Sequence, residues 1–158
     1  MSEWIARMES AAQEVFTSML GVEVARSPID SGAEGPDLTA IVGLAGAPTG
    51  VLGISCQEAS AARIAARMLG SETPESKENA ADALGEVCNM VAGSLKAGLS
   101  TSEDLCRLSA PTIISGKDYR VRPILNGERH EIFLDFEGQP IKMTLEIHRA
   151  SNGAGAAG

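Results

Sequence analysis

The chain of 158 residues is poor in aromatic side chains, cysteine and histidine. Only 3% of its residues are aromatic, so a core drawn from the 44% apolar residues must be mainly aliphatic. Cys56, Cys88 and Cys106 are an odd number and have no C-x-x-C spacing, which argues against a disulfide framework or a zinc site. His130 and His148 have no second candidate ligand at a useful spacing. We therefore expect no metal and no cofactor in this chain.

The chain also lacks a surplus of basic residues and any long apolar run. Its formal net charge is −8, which argues against a nucleic-acid interface or adhesion to anionic lipid, because both need a basic patch. No apolar stretch approaches the roughly 20 residues of a membrane span. The acidic, amphipathic N-terminus does not resemble a signal peptide. We expect a cytoplasmic protein without nucleic-acid or membrane partners.

The most distinctive segment, residues 82–93, has the pattern of a helix with two different faces. Apolar residues at spacings of three and four form one stripe: Leu84, Val87, Cys88, Val91, Ala92 and Leu95. At about 100° per residue, the opposite stripe contains Asp82, Glu86, Asn89, Gly93 and Lys96. Asn and Gly are poor residues for a helix interior. Their place on an exposed stripe indicates a docking surface, where Gly93 lets a partner approach the backbone closely.

Hydrophobic periodicity and turn residues predict two similar halves joined by a connecting helix. Helices are expected at residues 2–20, at 58–69, and from Thr73-Pro74-Glu75 to about residue 97. Strands are expected at residues 22–26, 38–44, 51–55, 105–109, 112–115, 119–124, 131–136 and 141–148. Residues 27–36 have the composition of a loop. A single domain is expected over residues 1–150, followed by a disordered Gly/Ala-rich tail at 151–158.

Short internal matches support the two-halves interpretation. Gly46-Ala47-Pro48 corresponds to Gly138-Gln139-Pro140, each within a predicted hairpin. Glu14-Val15-Phe16-Thr17 corresponds to Glu86-Val87-Cys88-Asn89. Because Thr17 stands where the second copy has Asn89, the first half would keep the helix but lack the amide. The chain would then have one complete site.

A locally basic run, residues 117–122, also stands out. It contains Lys117, Arg120 and Arg122 with a single Tyr among them. Alternating charges favour a solvated strand or a face that blocks edge pairing, with anion binding as the less favoured alternative.

The motif helix resembles the signature of the CheC/CheX-type chemotaxis phosphatases, and the chain is most similar to CheX-like proteins. That signature is an acidic or Ser residue, a Glu four positions later and an Asn three after that, here Asp82, Glu86 and Asn89. Pro111 fits roughly the proline that ends the pattern. The run from Glu14 to Gly21 is also typical of CheX-like chains.

The resemblance implies an α/β (α+β) fold: a mixed or antiparallel sheet with two long helices on one face, pseudo-repeated halves and a homodimer. It implies as substrate the phospho-aspartate of a CheY-like response-regulator receiver, which brings its own Mg2+. In this interpretation Asn89 orients the attacking water and Glu86 pairs with the receiver's active-site Lys. Asp82, Gly93 and Lys96 complete the partner-binding face. A solvated side chain is the favoured interpretation of Lys96, and Asp82 serves docking or solubility rather than chemistry.

Two other interpretations stay open. The chain could be a non-catalytic receiver-binding scaffold of the same fold that signals by sequestration. It could also be a dimerisation module whose helix face is only surface. The intact pair of Glu86 and Asn89 favours the phosphatase, because an amide can hold a water without adding negative charge beside a phosphoryl group.

Overall fold

The computed structural model describes residues 3–27, 35–99, 106–122 and 127–148. Within these ranges the helices are α1 (Glu3–Val15), α2 (Glu58–Leu69) and α3 (Lys77–Leu99), and a π-helical turn, Phe16–Leu20, extends α1. The strands are β1 (Ala25–Ser27), β2 (Leu38–Gly46), β3 (Thr49–Cys56), β4 (Cys106–Leu108), β5 (Thr112–Ser115), β6 (Glu128–Phe136) and β7 (Gln139–His148).

The strands form one sheet in the order β1-β6-β7-β3-β2-β4, and β5 pairs with β2 beside β4. Every neighbouring pair is antiparallel. Two hairpins, β2–β3 and β6–β7, meet at the centre, where Leu52 lies opposite Leu145. Each half lends an outer strand to the other: β1 pairs with β6, and β4 and β5 pair with β2. This interlocked arrangement confirms the predicted antiparallel α+β fold with pseudo-repeated halves.

The core lies between the sheet and the helices. Helix α3 packs against both α1 and α2 and rests on β2 and β3, whereas α1 packs on β6. The buried side chains are mostly aliphatic, as the composition predicts. Phe16 and Phe136 are an exception: both are fully buried, and their rings meet edge to face with centroids 5.6 Å apart. They join the end of the first helix to the second hairpin.

The motif helix begins later than predicted. Thr73-Pro74-Glu75 does not start it, and α3 begins at Lys77. Ser76 is the N-cap, because its Oγ accepts the Asn79 N–H at 3.3 Å and its carbonyl accepts the Ala80 N–H at 2.8 Å. The preceding segment returns to α2, where the Glu75 N–H donates to the Ala62 carbonyl at 3.3 Å.

Two predicted strands are wrong in part. In place of the strand expected at 22–26, the structure has the shorter β1, Ala25–Ser27. Gly21 ends the preceding helix at φ 65°, and Val24 is buried in the core before the strand begins. Residues 119–122 form no strand, because Tyr119 is drawn down onto the sheet. Residues 123 and 124, the tail at 151–158 and most of the predicted loop at 27–36 lie outside the described residues.

The β6–β7 turn is tied to α2 by a largely buried carboxylate. Glu137 adopts a positive φ of 50°, and its side chain is 14% exposed. It accepts hydrogen bonds from Arg63 Nε at 3.1 Å and from Arg67 Nε at 2.7 Å. The hydrogen bond from Arg63, reinforced by Arg67, holds the pKa of Glu137 below its usual range.

We predict that Glu137→Gln lowers the melting temperature at neutral pH by a few degrees. Because the folded carboxyl has a lower pKa than the unfolded one, ionised Glu137 contributes stability above the unfolded value of about 4.5, and that stability is lost as the pH falls through the folded pKa. The difference from wild type should therefore be full near neutrality and shrink in acid. Circular dichroism melts across this pH range measure it.

Glu23→Gln is the matched control, because Glu23 is exposed and forms no ion pair with any residue in the described ranges. Its melting temperature should follow wild type throughout. A Glu137→Gln deficit that stays constant into strong acid would contradict the assigned ion pair.

Candidate active site

The apolar face of α3 is buried as predicted. Val87, Cys88 and Val91 have no exposed surface. The Cys88 Sγ lies 3.6 Å from the Ala40 carbonyl oxygen of β2 and 3.8 Å from the Leu52 carbonyl oxygen of β3. Burial raises the pKa of the Cys88 thiol to about 12, so it is a neutral core group rather than a nucleophile. These contacts fix the rotation of the helix about its axis.

The opposite face of α3 carries the predicted site residues. Asp82 and Glu86 are exposed, whereas Asn89, Gly93 and Lys96 are half-buried. Glu86 and Asn89 are three residues apart, so their side chains leave the helix on the same side, about one turn apart. The expectation that both side chains are substantially exposed holds for Glu86, whereas Asn89 is half-buried.

The chain between β4 and β5 crosses α3 at Gly85. A methyl group placed on Gly85 would lie 3.2 Å from Ile113 Cδ1 and 3.6 Å from Pro111 Cβ. Asn89 follows Gly85 by four residues, so it lies about one turn further along the same side of α3. Pro111, the proline of the sequence signature, therefore lies against α3 about one turn before Asn89. The sequence did not predict that Gly85 and Ile113 pack together. A glycine inside the motif helix was the one local signal for such a close contact.

This crossing segment is anchored to the sheet. The Ser109 Oγ accepts the Gly43 N–H at 2.8 Å, and the Ser109 N–H donates to the Gly43 carbonyl at 2.9 Å. This anchoring holds Pro111 against α3 beside Gly85.

The polar side chains of the site have no partner in the described parts of the chain. No hydrogen bond or ion pair there engages Asp82, Glu86, Asn89 or Lys96. A methyl group on Gly93 would meet no atom within 4 Å, so nothing inside the described chain requires glycine there. The Glu86 carboxylate and the Asn89 amide are therefore not engaged within the described parts of the chain.

The corresponding residues of the first half are arranged differently. Glu14, the counterpart of Glu86, accepts a hydrogen bond from the Ser94 Oγ of α3 at 2.8 Å. Thr17, the counterpart of Asn89, lies in the π-helical turn, where its carbonyl accepts the Gly21 N–H at 3.2 Å. This half thus has its carboxylate engaged internally and has no amide.

Other kinds of site were sought in the same ranges. Among residues 3–27, 35–99, 106–122 and 127–148, no three His, Cys, Asp or Glu side chains are grouped so that they could hold a metal ion. The three cysteines are buried free thiols. None of the helices described is both long and apolar enough to pass through a membrane.

The two interlocked helix–hairpin halves and the Asp-Glu-Asn stripe on α3 together define a protein of the CheC/CheX class. A family model described as chemotaxis phosphatase CheX matches residues 38–137, which span α3 and most of the sheet. The chain therefore belongs to the CheX family of chemotaxis phosphatases. No curated protein matches it in sequence.

Solved structures support the same fold. The chemotaxis protein CheX from Vibrio vulnificus has a TM-score of 0.78 and 24% identity, over 93% of this chain and 97% of that one. A CheC-like superfamily protein from Shewanella sp. PV-4 has a TM-score of 0.77 and 25% identity, over 94% and 99%. A CheX–CheY–BeF3–Mg2+ complex from Borrelia burgdorferi gives a TM-score of 0.75 and 24% identity, over 93% and 99%.

We predict that Gly93→Ala raises the free energy of unfolding by up to about 1 kcal/mol, because alanine is the better helix former and its methyl group enters open space. Gly85→Ala in the same helix should gain less, because its methyl group would press on Ile113. Urea unfolding followed by circular dichroism compares the two variants. A destabilised Gly93→Ala would contradict the open space beside Gly93.

Proposed function

We propose that this protein dephosphorylates the phospho-aspartate of a CheY-like response-regulator receiver by inserting Glu86 and Asn89 into the receiver's active site. The observation that carries the proposal is the pair itself: two side chains one helical turn apart, without internal partners, on a helix fixed by its buried face. The relative from Borrelia burgdorferi occurs in a complex with CheY, BeF3 and Mg2+, which supports a receiver as partner. Such a substrate implies a cytoplasmic location.

The chemistry needs little from this chain. An acyl phosphate is already reactive, and its hydrolysis requires an in-line water and neutralisation of the developing charge. The receiver supplies the phosphoryl group, a Lys and Mg2+, which neutralises the phosphoryl oxygens. This chain supplies the positioned water: the Asn89 Oδ1 accepts a hydrogen bond from it while the side chain stays neutral. Positioning of this kind can lower a barrier by several kcal/mol.

Glu86 has a different role in the proposal. Its carboxylate is exposed. In the complex it forms an ion pair with the receiver's Lys, and this contact sets the register of α3 in the receiver's cleft. Asp82 lies one turn earlier on the same stripe and Gly93 one turn after Asn89. The acid extends the negative surface, and the glycine leaves the helix backbone open to the partner.

We predict that Asn89→Ala removes most of the phosphatase activity but leaves receiver binding largely intact, because orienting water acts mainly in the transition state. Glu86→Ala should weaken both binding and turnover, because it removes a charge-assisted contact of roughly 1.5–3 kcal/mol. Phosphate release from a phosphorylated receiver gives the turnover. Titration with the same receiver loaded with BeF3 and Mg2+ gives the binding.

Two further variants, Asn89→Asp and Thr17→Ala, test the effect of charge at the site and provide a control in the same assays. The first keeps size and shape but places a carboxylate beside the phosphoryl group, so turnover should fall strongly. The second alters the first-half copy, which lacks the amide, and should leave turnover nearly unchanged. Near-normal turnover in both Asn89 variants would exclude Asn89 as the water-orienting group. Binding without turnover in the wild-type protein would establish the scaffold alternative.

We also propose a homodimer formed through sheet edges. The outer positions of the sheet are taken by short strands of three or four residues, β1 at one side and β4 with β5 at the other. Backbone N–H and C=O groups on the outer side of such edge strands have no neighbouring strand among the described residues and can pair with a second chain. Light scattering should give about twice the chain mass of 16.4 kDa. A monomer mass over a wide concentration range would exclude the dimer.

A further inference from the structure

The face of the sheet opposite the helices carries a polar groove of about 530 Å³. Side chains alternate between the two faces of a strand. Ala40, Leu52 and Leu145 therefore point into the core, while their neighbours in sequence point into the groove. The strand residues of the groove floor are small, hydroxyl-bearing or β-branched: Thr39, Ile41, Val51, Gly53, Ser55 and Thr144.

One wall of the groove is the basic segment 117–122, which follows β5. Tyr119 fastens this segment to the floor: its hydroxyl lies 2.7 Å from the Thr39 Oγ1, which in turn lies 2.8 Å from the Ser55 Oγ. Arg120, Val121 and Arg122 line the groove beside it. The run that the sequence suggested as a solvated strand is instead a strap across the open face of the sheet.

The groove has more positive than negative charge. Its lining contains four cations and one carboxylate: Arg120, Arg122, Arg129, Lys142 and Glu146. Arg129 pairs with Glu131 at 3.3 Å and with Glu146 at 3.7 Å, and Lys142 pairs with Glu131 at 3.2 Å. In contrast, the exposed Arg120 and Arg122 have no ion pair or hydrogen bond within the described ranges. On a chain with net charge −8, this is a local surplus of free guanidinium groups.

We propose that the groove binds a small phosphate-bearing ligand of nucleotide size. Guanidinium groups bind phosphate oxygens through paired hydrogen bonds, and Arg120 and Arg122 have such groups at the groove, unengaged by any described residue. The volume lies within the range of about 300–1,000 Å³ found for small-molecule sites. A phosphate alone would leave much of it empty. Ile41, Val51 and Val121 supply apolar contact for the remainder of the ligand.

This site is distinct from the proposed receiver-docking surface. The groove lies on the side of β2 and β3 away from α3, so the sheet separates it from Glu86 and Asn89. A direct binding measurement therefore tests the groove without reference to phosphatase activity.

The test is isothermal titration calorimetry with ATP, AMP, adenosine and inorganic pyrophosphate as probes. We expect ATP to bind more tightly than AMP, adenosine to bind weakly, and pyrophosphate to bind more weakly than ATP because it lacks the apolar part. Raising the salt concentration should weaken ATP binding. The double variant Arg120→Glu with Arg122→Glu should weaken ATP binding roughly tenfold or more.

Lys117→Glu is the matched control, because Lys117 is exposed on the same strap but does not line the groove. It should bind ATP nearly as wild type does. Arg120→Lys keeps the charge but loses the planar fork, so its affinity should fall between wild type and the double variant. If circular dichroism shows that the double variant does not fold, Arg120→Lys alone tests the contribution of the guanidinium group to ATP binding.

Three results would overturn the proposal. ATP could fail to bind at millimolar concentration. Lys117→Glu could weaken binding as much as the double variant, which would indicate only non-specific attraction. Pyrophosphate could bind as tightly as ATP, which would reduce the groove to a simple anion site without a nucleotide-sized ligand.

Discussion

The structure depends on the burial of one face of α3 against the central strands of the sheet. Val87, Cys88 and Val91 are fully buried there, and the Cys88 thiol reaches the backbone of both β2 and β3. Close packing leaves a helix few ways to rotate or slide. Because the buried face is fixed, Glu86 and Asn89 on the other side are fixed too. The role proposed for Asn89 depends on this fixed position, since small displacements of a positioning group cost much of its effect.

The two halves share one architecture but differ in how their motif residues are engaged. Exchange of outer strands ties the halves into one sheet, so neither can be lost without exposing an edge of the other. In the second half the carboxylate and amide face outward. In the first half Glu14 is held by Ser94 of α3, and Thr17 takes the place of the amide. The first-half helix therefore contributes to the packing of α3 and does not have the Glu and Asn arrangement of the motif.

The two faces of the sheet follow from strict alternation along its central strands. One set of residues is apolar and meets the helices, and the other is small, hydroxyl-bearing, charged or β-branched and forms the groove. At Gly53 the space is already filled: a methyl group there would lie 2.9 Å from the Thr144 Oγ1. Tyr119 reaches the sheet on this same face through the Thr39 hydroxyl. A single layer of strands thus supports α3 on one side and a charged groove on the other.

The sequence by itself determined the local features of this protein. Period-3.6 and period-2 patterns depend only on neighbours along the chain, so they predicted the phase of α3, the two hairpins and the stripe that contains Glu86 and Asn89. What depends on contacts between distant segments was decided only by the tertiary structure. The exchange of outer strands, the packing of Pro111 beside Gly85 of α3, and the strap held by Tyr119 all belong to this second group. No local pattern encodes them, because each is set by side chains that lie far apart in sequence and meet only after the sheet has formed.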